Sequence, residues 1–278
     1  PRPLGGQMSA AIIDGRAVAA AIESELQARV AQLGSAPRLA VVQVGEDPAS
    51  TSYIRAKSRA AERVGIKLAH HHLAAATTLG ELRALVERLN SSEHGIIVQL
   101  PLPDGLEPAL ARIAPACDVD GFHPENLGKL LRGEPGLRPC TPAGIMELLE
   151  RSGHSPAGKH AVIIGRSNIV GKPLAVMLTQ ANATVTVCHT ATADLAHHTR
   201  QAELLVVAAG RPNTVTPEMV RPGATVVDVG VNHTAGGLVG DCAPGVADVA
   251  GALTPVPGGV GPMTVAMLMA NTAAAAED

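Results

Sequence analysis

The sequence predicts an α/β protein of two domains, and three observations carry that reading. Short β-branched and aliphatic runs alternate with segments whose apolar residues recur at helical spacing, the pattern of parallel strands covered on both faces. The length, 278 residues, suffices for two cores of ordinary domain size. In the second half, a glycine turn over residues 165–171 delivers the apolar run 161–164 into a helix, as at the start of a doubly wound nucleotide fold.

Taken in order, Asp14 before Gly15 is a helix N-cap, and Val18, Ile22, Leu26 and Val30 recur along one face. That helix runs to about Leu33 and stops at Gly34. Residues 38–44 read as a strand, and Asp47-Pro48 opens a helix that ends at Val64 with Gly65 closing it. A strand follows over 66–71. Thr78 and Glu81 have capping-box spacing, with Leu82, Leu85, Val86 and Leu89 as the buried stripe behind them. Residues 95–100 form a third strand, stopped by Pro101 and Pro103. The Pro- and Gly-rich stretch 104–138 holds a short helix near 107–113 and another near 127–131. Thr141 caps the next helix with Pro142 in its first turn; it runs to about Arg151 and bridges the domains. The second unit begins at Lys159, with strands over 161–164, 184–188, 204–208, 225–229 and 252–254. Its glycine turn feeds a helix beginning near Pro173, and the rigid loop 255–262 leads into an apolar helix from Met263 to about Ala276. No solenoid-type repeat is present.

Composition excludes several classes. A net charge of −3 gives no reason to expect a polyanion partner, and one Tyr, one Phe and no Trp leave no stacking platform for single-stranded nucleic acid. The four cysteines, Cys117, Cys140, Cys188 and Cys242, form no C-x-x-C pair; buried free thiols in a reducing cytoplasm are expected. No apolar run approaches the roughly 18 residues of a membrane span, and no export signal is visible. A start on Pro1 with Met8 soon after suggests that residues 1–7 are foreign to the native chain.

Two templates nearly fit the glycine turn. The dinucleotide fingerprint wants glycine where Ser167 stands, and Gly171 falls one residue late; a phosphate loop wants Ser or Thr after its lysine, where Lys172 is followed by Pro173. The reading is a variant dinucleotide site, with free amides at the helix start facing an anion. An NAD site commonly places a carboxylate at the end of the next strand. Here that strand ends in His189 and Thr190, with no carboxylate before Asp194, while Arg166 and Ser167 stand in the turn. An arginine, two hydroxyls and an imidazole suit a 2′-phosphate, so the expected cofactor is NADP.

Tyr53 and Lys57 lie four apart on one helix and so share a face. They precede the glycine turn, the reverse of the order in short-chain reductases. Gln99 interrupts an apolar strand at its carboxyl edge, where α/β folds collect ligands. Asp118 and Asp120 lack the remaining oxygen ligands of a calcium loop, and residues 70–72 with His197-His198 read as exposed imidazoles, so no metal site is expected.

These pieces together resemble the bifunctional methylenetetrahydrofolate dehydrogenase/cyclohydrolase (FolD) family over nearly the whole chain. The resemblance rests on Tyr53-Ile-Arg-Ala-Lys57, Val98-Gln-Leu-Pro-Leu-Pro103, Asp118-Val-Asp-Gly-Phe-His-Pro-Glu-Asn126, Gly165-Arg-Ser-Asn-Ile-Val-Gly-Lys-Pro173 and Pro255-Val-Pro-Gly-Gly-Val-Gly-Pro-Met-Thr264, in the family's order. Gly240-Asp-Cys-Ala243 departs from the usual apolar-then-aromatic ending, and Asp104-Gly105 replaces a commoner histidine-containing turn. The resemblance implies a folate-binding catalytic domain over 1–142 plus 263–278, a Rossmann-like NADP-binding domain over 143–262, a last helix packing back on the first domain, and a homodimer through the second.

It also implies the chemistry: oxidation of 5,10-methylenetetrahydrofolate with NADP, then hydrolysis of the methenyl cation to 10-formyltetrahydrofolate. Lys57 carries the proton traffic, Gln99 holds its ammonium, Tyr53 stacks on the folate, and Asp120 receives the amino-pyrimidine edge of the pterin. Ser50, Val98, Leu100, Pro257, Gly258 and Gly259 complete the substrate site. The cofactor site joins Gly165, Arg166, Ser167, Ile169, Val170, His189 and Thr190 to Thr141, Ala209, Gly210, Val231, Gly261 and Thr264. Competing readings are a dehydrogenase without the hydrolytic step, a shikimate- or amino-acid-type dehydrogenase, and a nucleotide-sensing protein that has lost catalysis; the last would be favoured by loss of Lys57, Gln99 or Asp120, all present.

Overall fold

A computed structural model describes residues 10–277, with backbone alone at 48 and 49. The reading of residues 1–7 lies outside the described residues. The chain divides into two compact units, one made of residues 19–140 with the chain from Val265 onward, the other of residues up to Val18 with Thr141–Thr264.

The described chain opens with a two-residue strand, β1 (Ala11–Ile12), and helix α1 (Gly15–Val30). Asp14 caps α1, its Oδ1 accepting the N–H groups of Arg16 at 2.9 Å and Ala17 at 3.1 Å. The helix ends at Val30, short of Leu33, because Gln32 and Leu33 turn their N–H groups to the carbonyls three residues back.

The elements that follow are β2 (Arg38–Val44), α2 (Pro48–Val64), β3 (Lys67–Leu73), α3 (Leu79–Leu89), β4 (Gly95–Val98), a 3-10 turn (Glu107–Arg112) and α4 (Pro124–Arg132). Asp47 accepts the Ser50 N–H at the start of α2, and Gly65 closes it in the left-handed region at φ 88°. The capping box of Thr78 and Glu81 forms on α3. The three strands pair in parallel in the order β3-β2-β4. On one face, Ala40, Val42, Val44, Ile96 and Val98 pack against Leu82, Leu85, Val86 and Leu89 of α3 and Ala109 of the 3-10 turn.

The other unit continues with α5 (Cys140–Arg151), β5 (His160–Ile164), α6 (Gly171–Gln180), β6 (Thr184–Cys188), α7 (Leu195–Thr199), β7 (Leu204–Val207), β8 (Thr225–Asp228), a hairpin of β9 (Asn232–Thr234) and β10 (Gly237–Val239), β11 (Ala252–Leu253) and α8 (Val260–Ala274). Six strands pair in parallel in the order β1-β11-β8-β7-β5-β6. Strand order reverses about β5, the doubly wound pattern that collects ligands at the carboxyl ends of its strands. β7 and β8 are buried along their length and β5 from Ala161 onward, as central parallel strands must be.

Several boundaries differ from the sequence reading. α5 begins at Cys140, so Thr141 lies inside its first turn instead of capping it. α6 begins at Gly171; Pro173 still falls in the first turn, where its missing N–H costs no helical bond. β1 was absent from the sequence reading, and its pairing with β11 groups residues 10–18 with the six-stranded unit. From Val265 the last helix belongs with the first unit, where Asn271 is buried. Among the described residues no helix is long and apolar enough to cross a membrane.

Candidate active site and cofactor site

In the unit holding the three-stranded sheet, the carboxyl end of β4 and the third turn of α2 meet. Lys57 Nζ donates to Gln99 Oε1 at 2.9 Å, and Gln99 Nε2 donates to the Leu100 carbonyl at 2.7 Å. Both ends of the Gln99 amide are thereby fixed, its oxygen toward the lysine. Gln99 has just left the strand, and its backbone N–H still pairs with the Val42 carbonyl at 2.8 Å. Ser50 is buried, and its hydroxyl donates to the Leu100 carbonyl at 3.3 Å; in the structure it steadies the segment that carries Gln99. Tyr53, one turn before Lys57, is 42% exposed, and partial burial raises its phenol pKa.

Asp120 is half-buried on the loop between the 3-10 turn and α4. Burial pushes its pKa up to about 6, the Lys57 charge opposing the rise and the Asp118 charge adding to it. Asp118 plays a different part: its Oδ2 accepts the His123 N–H at 2.7 Å and Asn126 Nδ2 at 2.9 Å. Asn271 Nδ2 donates to the carbonyls of Val119 and Arg138, both at 2.8 Å, and the Cys140 thiol also donates to the Val119 carbonyl, at 3.1 Å. Gly121 holds φ 77° with its α-carbon against the Arg138–Pro139 peptide, so a side chain there has neither conformation nor room. A cavity of about 300 Å³ lies beside Asp120, its apolar wall built by Ile96, Val98, Leu100, Leu110 and Phe122. Lys57, Gln99, Leu100, Val98 and Asp120 thus gather at one end of this sheet. Pro257, Gly258 and Gly259 belong to the other unit. There Gly258 takes φ 114°, and its carbonyl accepts the Arg16 N–H at 3.1 Å. A Cβ on Gly15 would stand 1.8 Å from the Gly259 carbonyl oxygen, which explains the glycine after Asp14.

The glycine turn follows β5. A Cβ on Gly165 would fall 2.3 Å from the Ala208 carbonyl oxygen, and one on Gly171 would fall 2.0 Å from the Gly165 carbonyl oxygen. The turn is therefore a backbone cradle that only glycine can form. The free amides expected at the start of α6 are otherwise engaged: Ser167 Oγ accepts those of Val170 at 3.1 Å and Gly171 at 3.4 Å, and the Ser167 carbonyl accepts that of Lys172 at 3.1 Å. The turn folds back on itself around Ser167. Its hydroxyl is the acceptor in both side-chain bonds, which leaves the O–H to donate elsewhere. Lys172 Nζ is held by Asn168 Oδ1 at 2.7 Å, while Arg166 stands exposed in the turn. His189 Nδ1 accepts the Ala191 N–H at 3.2 Å, and Thr190 is exposed. Thr141 and Thr264 share a hydroxyl–hydroxyl bond of 2.9 Å, which joins α5 to the start of α8. Ala209, Gly210 and Gly261 are exposed, and Ile169 and Val231 are apolar side chains each 42% exposed. Apolar groups left to solvent near strand ends are a feature of ligand sites; Leu100, just past β4, shares it in the first unit, and Tyr53 on α2 is equally exposed.

Sequence reasoning gave no role to Asn126, Asn271 or Asp241. Asn126 stood in a quoted motif, Asp241 followed Gly240, and Asn271 was legible only as a polar interruption of an apolar helix.

The comparisons with known proteins agree over both units. Residues 13–120 match the catalytic domain of the tetrahydrofolate dehydrogenase/cyclohydrolase family, and residues 139–278 match its NAD(P)-binding domain. The chain is 57% identical over 274 residues to the bifunctional protein FolD of Nitratidesulfovibrio vulgaris (Miyazaki F), covering 94% of this chain and 95% of that one. The crystal structure of the FolD methylenetetrahydrofolate dehydrogenase/cyclohydrolase of Campylobacter jejuni is 48% identical, with a TM-score of 0.93 over 97% of this chain and 99% of that one. The FolD of Trypanosoma brucei, solved with NADP and an inhibitor, is 40% identical, with a TM-score of 0.91 over 97% of this chain and 98% of that one. This chain belongs to the tetrahydrofolate dehydrogenase/cyclohydrolase family, and its second matched region is an NAD(P)-binding domain.

Proposed function

We propose that this chain oxidises 5,10-methylenetetrahydrofolate with NADP and then hydrolyses the methenyl cation to 10-formyltetrahydrofolate. The bond between Lys57 Nζ and Gln99 Oε1, at 2.9 Å, carries the reading. A lysine fixed by a neutral amide beside a half-buried carboxyl is placed to exchange protons with a substrate held at this end of the sheet. Bound NADP supplies the hydride acceptor. In the hydrolytic step, water forms a bond to the methenyl carbon and loses both of its protons in turn, one passing to the nitrogen as the carbon–nitrogen bond breaks and the other leaving to solvent as the formyl C=O forms. Lys57 handles both protons, and Gln99 keeps it in place without the neutralising charge a carboxylate would bring. Asp120 accepts the paired N–H donors of the amino-pyrimidine, Tyr53 stacks on the folate, and the backbone at Pro257, Gly258 and Gly259 approaches it closely.

NADP over NAD rests on Arg166, Ser167, His189 and Thr190, and on the absence of a carboxylate before Asp194. The chain is proposed to act as a cytoplasmic homodimer; its four free thiols suit a reducing compartment, and sedimentation as a monomer would exclude the dimer. The deciding experiment is Lys57→Gln. Formation of 10-formyltetrahydrofolate is expected to fall at least about a hundredfold, with NADP affinity unchanged. Wild-type turnover in that variant would refute the assignment. Accumulation of the methenyl species by the unaltered protein would point to a dehydrogenase without the hydrolytic step.

A further inference from the structure

Asp241 is fully buried, and none of the chemistry above uses it. Its Oδ2 accepts the backbone N–H groups of Ala209 at 2.7 Å and Gly210 at 2.8 Å, and its Oδ1 accepts Asn232 Nδ2 at 2.8 Å. Its own N–H donates to Asp228 Oδ1, and that of Cys242 donates to Asp228 Oδ2, both at 2.9 Å. Its carbonyl accepts the Thr214 N–H at 2.7 Å. The segment leaving β7, the segment leaving β8 and residues 240–242 therefore converge on one carboxylate. There is no slack around it: a Cβ on Gly230 would stand 2.4 Å from Asp241, and one on Gly240 would stand 2.0 Å from Asp228 Oδ2.

Ala209 and Gly210 are themselves exposed, and Val231, beside Asn232, is 42% exposed. We propose that Asp241 is a positioning residue for the dinucleotide: from behind, it fixes the loops at residues 209–210 and 231–232 at the separation the cofactor needs. This rests on the reading that those loops meet the cofactor. The carboxylate is required because three donors converge on it. An asparagine has the same shape, but its NH₂ must face either the two backbone amides or Asn232 Nδ2, donor against donor.

The test is Asp241→Asn, with NADP affinity titrated directly and methenyltetrahydrofolate hydrolysis followed in parallel. The Kd for NADP is expected to rise at least tenfold, while hydrolysis, assigned to Lys57 in the other unit, stays within threefold. Asn232→Ala, which removes one partner only, is expected to raise the Kd by less. Unchanged NADP affinity in Asp241→Asn overturns the proposal, as does an equal loss of hydrolysis, which would make Asp241 a prop of the whole fold. Should Asp241→Asn not fold, Asn232→Ala decides, and wild-type NADP affinity in that folded variant overturns the proposal. Arg166→Ala, run alongside, is expected to weaken NADP far more than NAD. Equal losses there count against the 2′-phosphate reading, whereas a failure at Asp241 with the Arg166 effect intact counts against this proposal alone.

Discussion

Asp118 and Asp120 are two residues apart and have opposite tasks. Asp118 spends its carboxylate on His123 and Asn126, within hydrogen bonds that fix the loop. Asp120, only half-buried, is left to titrate near 6, because burial disfavours its charge more than Lys57 restores it. If its ionised form receives the pterin, KM for the folate substrate should rise as pH falls through about 6, and Asp120→Asn should flatten that profile while raising KM at every pH. A pH-independent KM in the unaltered protein would remove Asp120 from substrate binding. The sign for stability is the reverse of a salt-bridged carboxylate. The folded state holds this proton more tightly than the unfolded chain, whose Asp titrates near 3.9, so this group's contribution to stability falls as pH rises from about 4 to about 6 and is level above that. The sequence pointed to Asp120 through its motif, but not to which aspartate would be structural. That depended on the bonds Asp118 accepts from the His123 N–H and from Asn126.

The glycine turn shows what could and could not be read at the level of elements. Its strand, turn and helix were legible from residue types alone. The mismatch with the dinucleotide fingerprint had a cause that only geometry supplied, since Ser167 accepts the amides of Val170 and Gly171 ahead of α6 and Gly171 is pressed against the Gly165 carbonyl. Gly171→Ala is expected to destabilise the protein by more than about 2 kcal/mol, because the added Cβ meets backbone that cannot yield, and to abolish NADP binding with it. Gly128, inside α4 with nothing near the position of a Cβ, is the contrasting case. Gly128→Ala should stabilise the protein by about 1 kcal/mol, the ordinary helix preference. Thermal unfolding of the two variants checks both signs, and a neutral Gly171→Ala would mean that the turn relaxes freely. A long element with turn signals at both ends, α2, was placed to the residue, and the start of α3 was marked by its capping box. The hairpin of β9 and β10 was not, because strands of three exposed or half-exposed residues leave no alternation to read.

Across the whole molecule, the units are interleaved in the chain: residues 10–18 belong with 141–264, and 265–277 with 19–140. Sequence reading divides a chain at composition shifts, and nothing in Ala11–Ile12 announces a strand that pairs with residues some 240 positions later. Each unit nevertheless has its own buried clusters, so local opening is expected to differ between them. Ala11→Pro tests this with a single lost donor, the N–H that reaches the Gly251 carbonyl at 2.9 Å. The loss is expected to be about 1 kcal/mol, seen as faster hydrogen exchange at Ala252–Leu253 and Thr225–Asp228, with Arg38–Val44 and Gly95–Val98 unchanged. Acceleration confined to the six-stranded sheet means that β1 stabilises the cofactor unit alone and that the two cores open separately. Equal acceleration in both sheets would instead make the protein one cooperative body, in which the first described residues of the chain support the lysine site as much as the dinucleotide site.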